Sequence, residues 1–168
     1  ASNRQLVRVD PRTKSAEQLD EGLLSSSDSF VSFDTLEPDM LYICYSAKHC
    51  IYSYNIKTKK HELYAGVQNE TGWQDGERED ALFNDPKQIC FDQDGVMYVA
   101  DAGNHVIRKI TRDGVVSTVI GIAGVKGYVD GSPEDALFQY PTGVAIDKEG
   151  TIYVGDARNN CVLKFAFD

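Results

Sequence analysis

Residues 86–110 read PKQICFDQDGVMYVADAGNHVIRKI and residues 141–165 read PTGVAIDKEGTIYVGDARNNCVLKF, so one pattern occurs twice at an offset of 55 residues. The similarity extends through the preceding linker, because aligning residues 65–113 with residues 120–168 gives 19 identical positions out of 49. Self-similarity at a fixed period is the signature of a repeat architecture, in which each unit buries its apolar face against its neighbours. We therefore expect a chain built from stacked copies of one unit.

Each copy contains four short segments rich in Val, Ile and Tyr, which are separated by turn residues such as Asp, Asn and Gly. In the middle copy this pattern predicts strand a at about 88–91, strand b at 96–100, strand c at 105–110 and strand d at 115–120. Four short antiparallel strands per repeat, with no helical period, are typical of a β-propeller blade. The expected fold class is therefore all-β, with four-stranded antiparallel blades.

Less regular segments precede the two clear copies. Residues 30–66 form a degenerate copy at an offset of 56 residues, and residues 1–29 are expected to supply only strands c and d of a partial blade. Residues 67–121 then comprise a long loop and a complete blade, and residues 122–168 a long loop and a blade without its outer strand. About three blades and two strands cannot close a ring of four to eight blades. We expect the chain to be part of a six-bladed ring, whose remaining blades belong to the same protein.

Composition narrows the possible functions. A net charge of −9 argues against nucleic acid as a partner, because such binding relies on Lys and Arg to neutralise phosphates. No apolar run approaches the roughly 20 residues of a membrane span, and the first residues lack the pattern of a signal peptide. The four cysteines (Cys44, Cys50, Cys90 and Cys161) include no CxxC pair, so a zinc site of that kind is not indicated. Cys44 and Cys50 could still face one another across a hairpin.

The blades resemble the NHL repeat family. The pattern P-x-x-I-x-F-D-x-x-G-x-M-Y-V-A-D-x-x-N-H-x-I-R-K-I over residues 86–110 carries the resemblance, together with its second copy from Pro141 to Asn159. The Asp-Gly, Ala-Leu-Phe and Pro elements of the linkers resemble bacterial secreted or cell-surface NHL proteins, which often carry an N-terminal IPT/TIG domain. The resemblance implies a propeller fold and a periplasmic, secreted or cell-surface location. It leaves function open, because such propellers serve as binding platforms and as enzymes.

The long connections from strand d of one blade to strand a of the next are the expected functional loops. They span about residues 67–86 and 122–141, and connections above about 12–15 residues are often functional. Together with the b–c turns they emerge on one face, which we call the loop face. Its acidic excess favours a cation or a basic partner. However, the Ser, Pro and acidic residues of segment 132–138 also fit the first turn of a short helix.

The repeat separates structural from functional candidates. Residues that recur in each copy are expected to build the blade, whether as turn formers or as core residues. Function is expected where the repeat symmetry is broken. Trp73 and Tyr128 hold equivalent positions after a glycine, where aromatic rings either grip a ligand or fasten their own loops. The candidate ligand-binding residues are Trp73, Arg78, Asp85, Tyr128, Tyr140 and Arg158.

Two functions remain open. The preferred one is a non-catalytic recognition or scaffold propeller that binds a protein or a glycan through the loop face. The alternative is a metal-dependent hydrolase or lyase, because propeller enzymes of the lactonase and amidating-lyase types hold a metal at the channel mouth through His, Asp, Asn and Glu. No cofactor is assured, but a divalent cation such as calcium or zinc fits the alternative. Its candidate ligands are His49, His105, Asp101 and Asp156.

Overall fold

The computed structural model describes residues 5–21 and 29–167, and these residues form an all-β structure. Helix within the described residues is limited to two short 3₁₀ turns, at Ser46–Lys48 and Ala102–Asn104. The strands are β1 Gln5–Val9, β2 Ala16–Glu21, β3 Ser29–Phe33, β4 Met40–Tyr45, β5 Cys50–Asn55, β6 Lys60–Ala65, β7 Gly76–Glu77, β8 Pro86–Phe91, β9 Met97–Asp101, β10 Val106–Ile110, β11 Val115–Ile120, β12 Pro141–Ile146, β13 Ile152–Asp156 and β14 Cys161–Phe165.

The strands form four antiparallel sheets, which we number as blades in chain order. Blade 1 is β1-β2, blade 2 is β3-β4-β5-β6, blade 3 is β8-β9-β10-β11 with β7 added outside β11, and blade 4 is β12-β13-β14. Consecutive strands lie side by side, as in a propeller blade. Strands β8 to β11 agree with the four strands predicted for the middle copy to within two residues. The all-β prediction with antiparallel blades is therefore confirmed.

The long connections, which the sequence analysis expected as functional loops, pack against the blades and enter the core between them. After β6 the chain runs to the outer edge of blade 3, where Gly76 and Glu77 pair with Val116 and Val115 of β11. It then returns inward, and Phe83 is fully buried in the core between blades 2 and 3. The second connection buries Phe138 in the same way between blades 3 and 4.

The short helix expected within 132–138 is a single hydrogen-bonded turn. The backbone N–H groups of Asp135 and Ala136 donate to the carbonyl of Ser132. The helix does not continue, because Leu137 pairs with Val129 in an isolated antiparallel bridge. The next residue, Phe138, enters the core, and burying a side chain of this size contributes about 1.5–3 kcal/mol. Tertiary packing therefore overrides the local helix signals.

Blade 3 is covered on both of its faces. Val106 and Ile107 point to opposite faces of β10, and both are fully buried. In blade 4 the residue equivalent to Ile107 is Val162, which is 71% exposed. Among the described residues nothing covers that face of blade 4.

Two further sequence expectations can be compared with the fold. Cys44 and Cys50 are buried free thiols, and they do not face one another, because Cys44 pairs with Ile51 and Cys50 with Tyr45. Within residues 5–21 and 29–167, no helix has the length and apolar character needed to cross a membrane.

Candidate functional site

Two histidines each hold the start of the next blade's inner strand. His49 follows the 3₁₀ turn of blade 2, and its Nδ1 accepts the backbone N–H of Asp85 at 3.0 Å. His105 holds the equivalent position in blade 3, and its Nδ1 accepts the backbone N–H of Tyr140 at 3.2 Å. Burial lowers the pKa of both imidazoles. Each ring is thus a neutral acceptor for a backbone amide.

Two aspartates complete these junctions from the following blade. The buried carboxylate of Asp101 accepts the backbone N–H of Asn84 at 2.8 Å and an Nδ2–H of Asn104 at 2.8 Å. Burial raises the pKa of Asp101 to about 6, so the group remains mostly ionised at neutral pH. Asp156 accepts the backbone N–H of Gln139 and an Nδ2–H of Asn159 in the same way.

The four candidate metal ligands therefore act in pairs on backbone junctions. His49 and Asp101 hold residues 84–85, and His105 and Asp156 hold residues 139–140. No group of three or more His, Cys, Asp or Glu side chains in the described part of the chain could hold a metal ion. These residues recur in the copies because the junction that they fasten recurs.

The residues held at these junctions form a cluster of their own at the inner end of blades 3 and 4. Asp85 and Tyr140 both adopt left-handed backbone angles, with φ of 54° and 67°, and the hydroxyl of Tyr140 donates to Asp85 Oδ2. Lys87 Nζ lies 2.8 Å from Asp85 Oδ1. The guanidinium of Arg158 lies over the ring of Tyr140, 4.4 Å from its centroid, and Lys87 Nζ lies 5.8 Å from it. We call Asp85, Lys87, Tyr140 and Arg158 the channel-mouth cluster.

Three of the six candidate ligand-binding residues thus converge. The inner strands β8 and β12, which begin at the cluster, lie next to one another across the boundary between blades 3 and 4. Lys87 was missed by the sequence analysis, although its equivalent in the next copy is Thr142. Because the two copies differ at this position, a search for broken repeat symmetry would have included Lys87.

The two loop aromatics differ in how they are held. Trp73 is 51% exposed, and its Nε1–H donates to Thr118 Oγ1 of β11 at 2.9 Å. Tyr128 is 63% exposed and follows Gly127, whose carbonyl accepts an Nδ2–H of Asn159 at 2.7 Å. The ring of Trp73 is therefore fastened to its own blade while part of it stays open to solvent.

Arg78 lies apart from the channel-mouth cluster. Its guanidinium lies 4.7 Å from the ring centroid of Tyr64 and pairs with Glu79 at 2.9 Å, and its side chain passes beside Gly114 in the c–d turn of blade 3. It lines a cavity of about 210 Å³ between blades 2 and 3, towards the turns opposite the loop face. The structure therefore does not join Arg78 to the other candidate residues.

Arg108 is a second residue that the sequence analysis missed. It is fully buried and donates to Asp75 Oδ1 at 2.6 Å, Asp101 Oδ2 at 3.0 Å, and the carbonyls of Gln74 at 2.7 Å and Leu82 at 2.9 Å. These bonds attach both arms of the first long connection to blade 3. The equivalent residue in blade 4 is Leu163, so broken symmetry was again the available signal.

The chain resembles known proteins both in sequence and in structure. It is 30% identical over 139 residues to Protein SUPPRESSOR OF QUENCHING 1, chloroplastic, of Arabidopsis thaliana, over 76% of this chain and 13% of that protein. It is also 36% identical over 85 residues to a probable peptidyl-alpha-hydroxyglycine alpha-amidating lyase of Caenorhabditis elegans, over 50% of this chain and 23% of that protein. The chain thus spans less than a quarter of the length of either relative.

Solved structures extend the similarity to nearly all of the chain. A Bacteroides thetaiotaomicron protein described as of unknown function superimposes with a TM-score of 0.90 at 28% identity, over 98% of this chain and 42% of that one. An auxiliary nutrient binding protein from Bacteroides ovatus gives a TM-score of 0.82 at 30% identity, over 96% of this chain and 43% of that one. The chain covers less than half of each structure.

Family models match most of the sequence. The NHL repeat model matches residues 138–165, and the Teneurin NHL domain model matches residues 8–129, which is more than half of the chain. The matched regions include strands β2 to β14 and the junctions described above. The chain therefore belongs to the NHL-repeat family of β-propellers.

Proposed function

We propose that this chain is part of a non-catalytic recognition propeller, which binds a protein or a glycan through its loop face. The channel-mouth cluster carries the proposal. It holds an aromatic ring, a carboxylate and two cations in a fixed arrangement where two blades meet. Side chains that are ordered before binding lose less entropy when a ligand arrives.

Two further observations support a binding role. Trp73 and Tyr128 present large and partly exposed rings on neighbouring long connections. Such rings offer apolar contact area together with a polar edge, and they are enriched where proteins bind their partners. In addition, one structural relative carries the name auxiliary nutrient binding protein.

We propose that the whole protein is a six-bladed ring. Its remaining blades would cover the face of blade 4 on which Val162 is exposed. The Bacteroides relatives, one of them named a nutrient binding protein, favour a periplasmic, secreted or cell-surface location. The resemblance to bacterial NHL proteins favours an N-terminal IPT/TIG domain as well.

The test is a binding screen of the chain against immobilised glycans and peptides. We expect a discrete set of ligands, and at least tenfold weaker binding to them by the Trp73→Ala/Tyr128→Ala double variant and by Tyr140→Ala. Phe167→Ala is the matched control, because Phe167 is also aromatic and half-exposed but lies near Asp147 and Lys148 on the opposite turns. A ligand that both loop-face variants bind with wild-type affinity would refute the proposal.

A metal-dependent lyase or hydrolase is the second candidate, and the similarity to a probable amidating lyase favours it. His49, His105, Asp101 and Asp156 engage backbone amides, so calcium or zinc would need ligands beyond these four. Elemental analysis of the whole protein after dialysis tests this candidate. One ion per protein, whose removal by EDTA abolishes a lyase or hydrolase activity, would favour catalysis over recognition.

A further inference from the structure

We propose that the ligand of the loop face carries a carboxylate, which Arg158 and Lys126 bind beside Tyr128. The ligand class is then an acidic glycan that contains uronic acid units. This inference rests on the proposed function and names the ligand chemistry of that same face.

Arg158 has an unused guanidinium. It is exposed on the turn between β13 and β14 and makes no ion pair with the described residues, although the chain has a net charge of −9. Its contact with the ring of Tyr140 at 4.4 Å leaves its hydrogen-bond donors available. A guanidinium presents a planar fork of donors that matches a carboxylate, and charge-assisted pairs of this kind are among the strongest hydrogen bonds in proteins.

Lys126 provides a second positive charge on the neighbouring segment. The bond from Asn159 Nδ2 to the carbonyl of Gly127, 2.7 Å long, fastens the segment that carries Lys126 and Tyr128 to the turn that carries Arg158. The positive charges of Lys126 and Arg158 both lower the pKa of His105, after the larger effect of burial. The two cations therefore lie on neighbouring segments that this bond joins.

Two carboxylates near Arg158 already have partners. Asp156 is buried and accepts the backbone N–H of Gln139 and the side-chain amide of Asn159. Asp85 pairs with Lys87 and accepts the hydroxyl hydrogen bond of Tyr140. Neither side chain forms an ion pair with Arg158, so its guanidinium remains available to an anion.

The preceding blade provides an internal comparison. There Asn104 Nδ2 donates to the carbonyl of Gly72 at 2.7 Å, so the same bond fastens the loop next to Trp73. The positions of Lys126 and Arg158 are occupied in that blade by Thr71 and Gly103. An aromatic residue is thus common to both loops, whereas the two cations belong to blade 4 alone among these equivalent positions. An aromatic residue and a lysine on one segment, joined to the turn that carries Arg158, suit a sugar ring that bears a carboxylate.

The test compares trigalacturonic acid with its methyl ester by isothermal titration calorimetry on the chain. The two probes share one sugar skeleton and differ in charge. We expect the acid to bind at least tenfold more tightly than the ester, and added salt to weaken only the acid. Arg158→Gln and Lys126→Gln should each weaken binding of the acid about tenfold, the loss expected for one charge-assisted contact. Lys148→Gln, whose side chain is 81% exposed beside the opposite turns, should bind as the wild type does.

The outcomes separate this inference from the proposed function. Equal binding of acid and ester, wild-type binding of the acid by Arg158→Gln, or failure of the wild type to bind the acid would each overturn the carboxylate inference. The loop-face function would survive if Trp73→Ala/Tyr128→Ala still weakened binding of the ester or of another ligand from the screen. Because Arg158 is exposed, Arg158→Gln should unfold at the wild-type temperature, which shows that a lost affinity is not a lost fold.

Discussion

Replacing Arg108 by leucine should detach the first long connection from blade 3. The guanidinium is fully buried and bridges Asp75 and Asp101, and it also satisfies the carbonyls of Gln74 and Leu82. Leucine is a suitable replacement, because Leu163 holds the equivalent position in blade 4. The side chain therefore fits the strand geometry, and the loss should come from the missing polar contacts.

The expected loss in the free energy of unfolding depends on the charged groups that stay buried when Arg108 is replaced. Removing one partner of a buried ion pair costs about 3–5 kcal/mol, because the other charge is left without compensation. A typical domain is stable by only about 5–15 kcal/mol, so the free energy of unfolding should fall by a large fraction. In the variant, Asp101 Oδ2 would still accept a hydrogen bond from Asn104. Asp156, the equivalent carboxylate of blade 4, is also buried and has only backbone and Asn donors among the described residues. These contacts favour the lower end of the range.

The loss of stability caused by Arg108→Leu should also depend on pH. The pKa of Asp101 is about 6 in the folded chain and near 4 in an unfolded chain. A raised folded-state pKa contributes stability at low pH, which is lost as the pH rises through the folded value. Without Arg108 the pKa of Asp101 rises further, because the positive charge that favoured its ionised form is gone. The free energy of unfolding of Arg108→Leu should therefore fall further below that of the wild type at about pH 8 than at about pH 5. Adding Asp101→Asn should remove this dependence, because the amide does not ionise.

The assay is urea unfolding followed by the fluorescence of Trp73, the single tryptophan, which lies in the connection that Arg108 holds. Lys164→Leu is the matched control, because it removes one positive charge from an exposed position on β14. A loss below about 1 kcal/mol, the value of one ordinary hydrogen bond, would refute the role given to Arg108. An equal loss in Lys164→Leu would refute it as well.

Two further predictions concern the junctions between blades. Burial lowers the pKa of His49 and His105, whereas an unfolded chain binds these protons near pH 6.5, so stability should fall as the pH drops below about 6.5. His105→Asn introduces the residue that blade 4 has at this position, Asn160, and it should reduce the loss of stability at low pH. The measurement compares urea midpoints at about pH 7.5 and about pH 5.5, and an unchanged pH dependence would contradict this reasoning. Gly121→Ala should cost more than about 1 kcal/mol in thermal unfolding, because φ is 97° and a Cβ would lie 3.0 Å from the carbonyl oxygen of His105. Gly131→Ala, with no atom within 4 Å of its Cβ, should stay within about 0.5 kcal/mol, and similar losses in both variants would contradict the strain argument.

The repeat made most of the fold predictable, and the exceptions have physical causes. Strands β8 to β11 follow from apolar segments bounded by turn residues. Strand β7 could not be recognised, because Gly76 and Glu77 have no strand pattern and pair only where the edge of β11 is open to them. The helix expected at 132–138 is limited to a single turn, again because of tertiary packing. Its local signals are present, but the core between blades 3 and 4 takes up Phe138.

The site was predictable in part. Searching for broken symmetry found Asp85, Tyr140 and Arg158, which converge, and also Arg78, which does not. Aligning the two copies shows which positions differ, but it does not show on which face of the blade a side chain lies. The face depends on where each long connection turns towards the core. Lys87 met the same criterion but was overlooked, because it lies between the recurring Pro86 and the strand predicted at about 88–91, a place that suggests a structural role.

The junctions keep the backbone fixed while the side chain at the held position differs between blades. His49 and Asp101 hold the backbone at residues 84–85, and His105 and Asp156 hold it at 139–140. Asp85 and Tyr140 consequently adopt left-handed angles that are unfavourable for residues other than glycine, and such angles persist only where the surroundings impose them. Since the repeated residues bind backbone atoms, the side chain at the held position is free to differ between blades, as Asp and Tyr do here. A fixed backbone with an interchangeable side chain suits the recognition function that we propose, and Asp85 and Tyr140 are the two side chains that differ at these held positions.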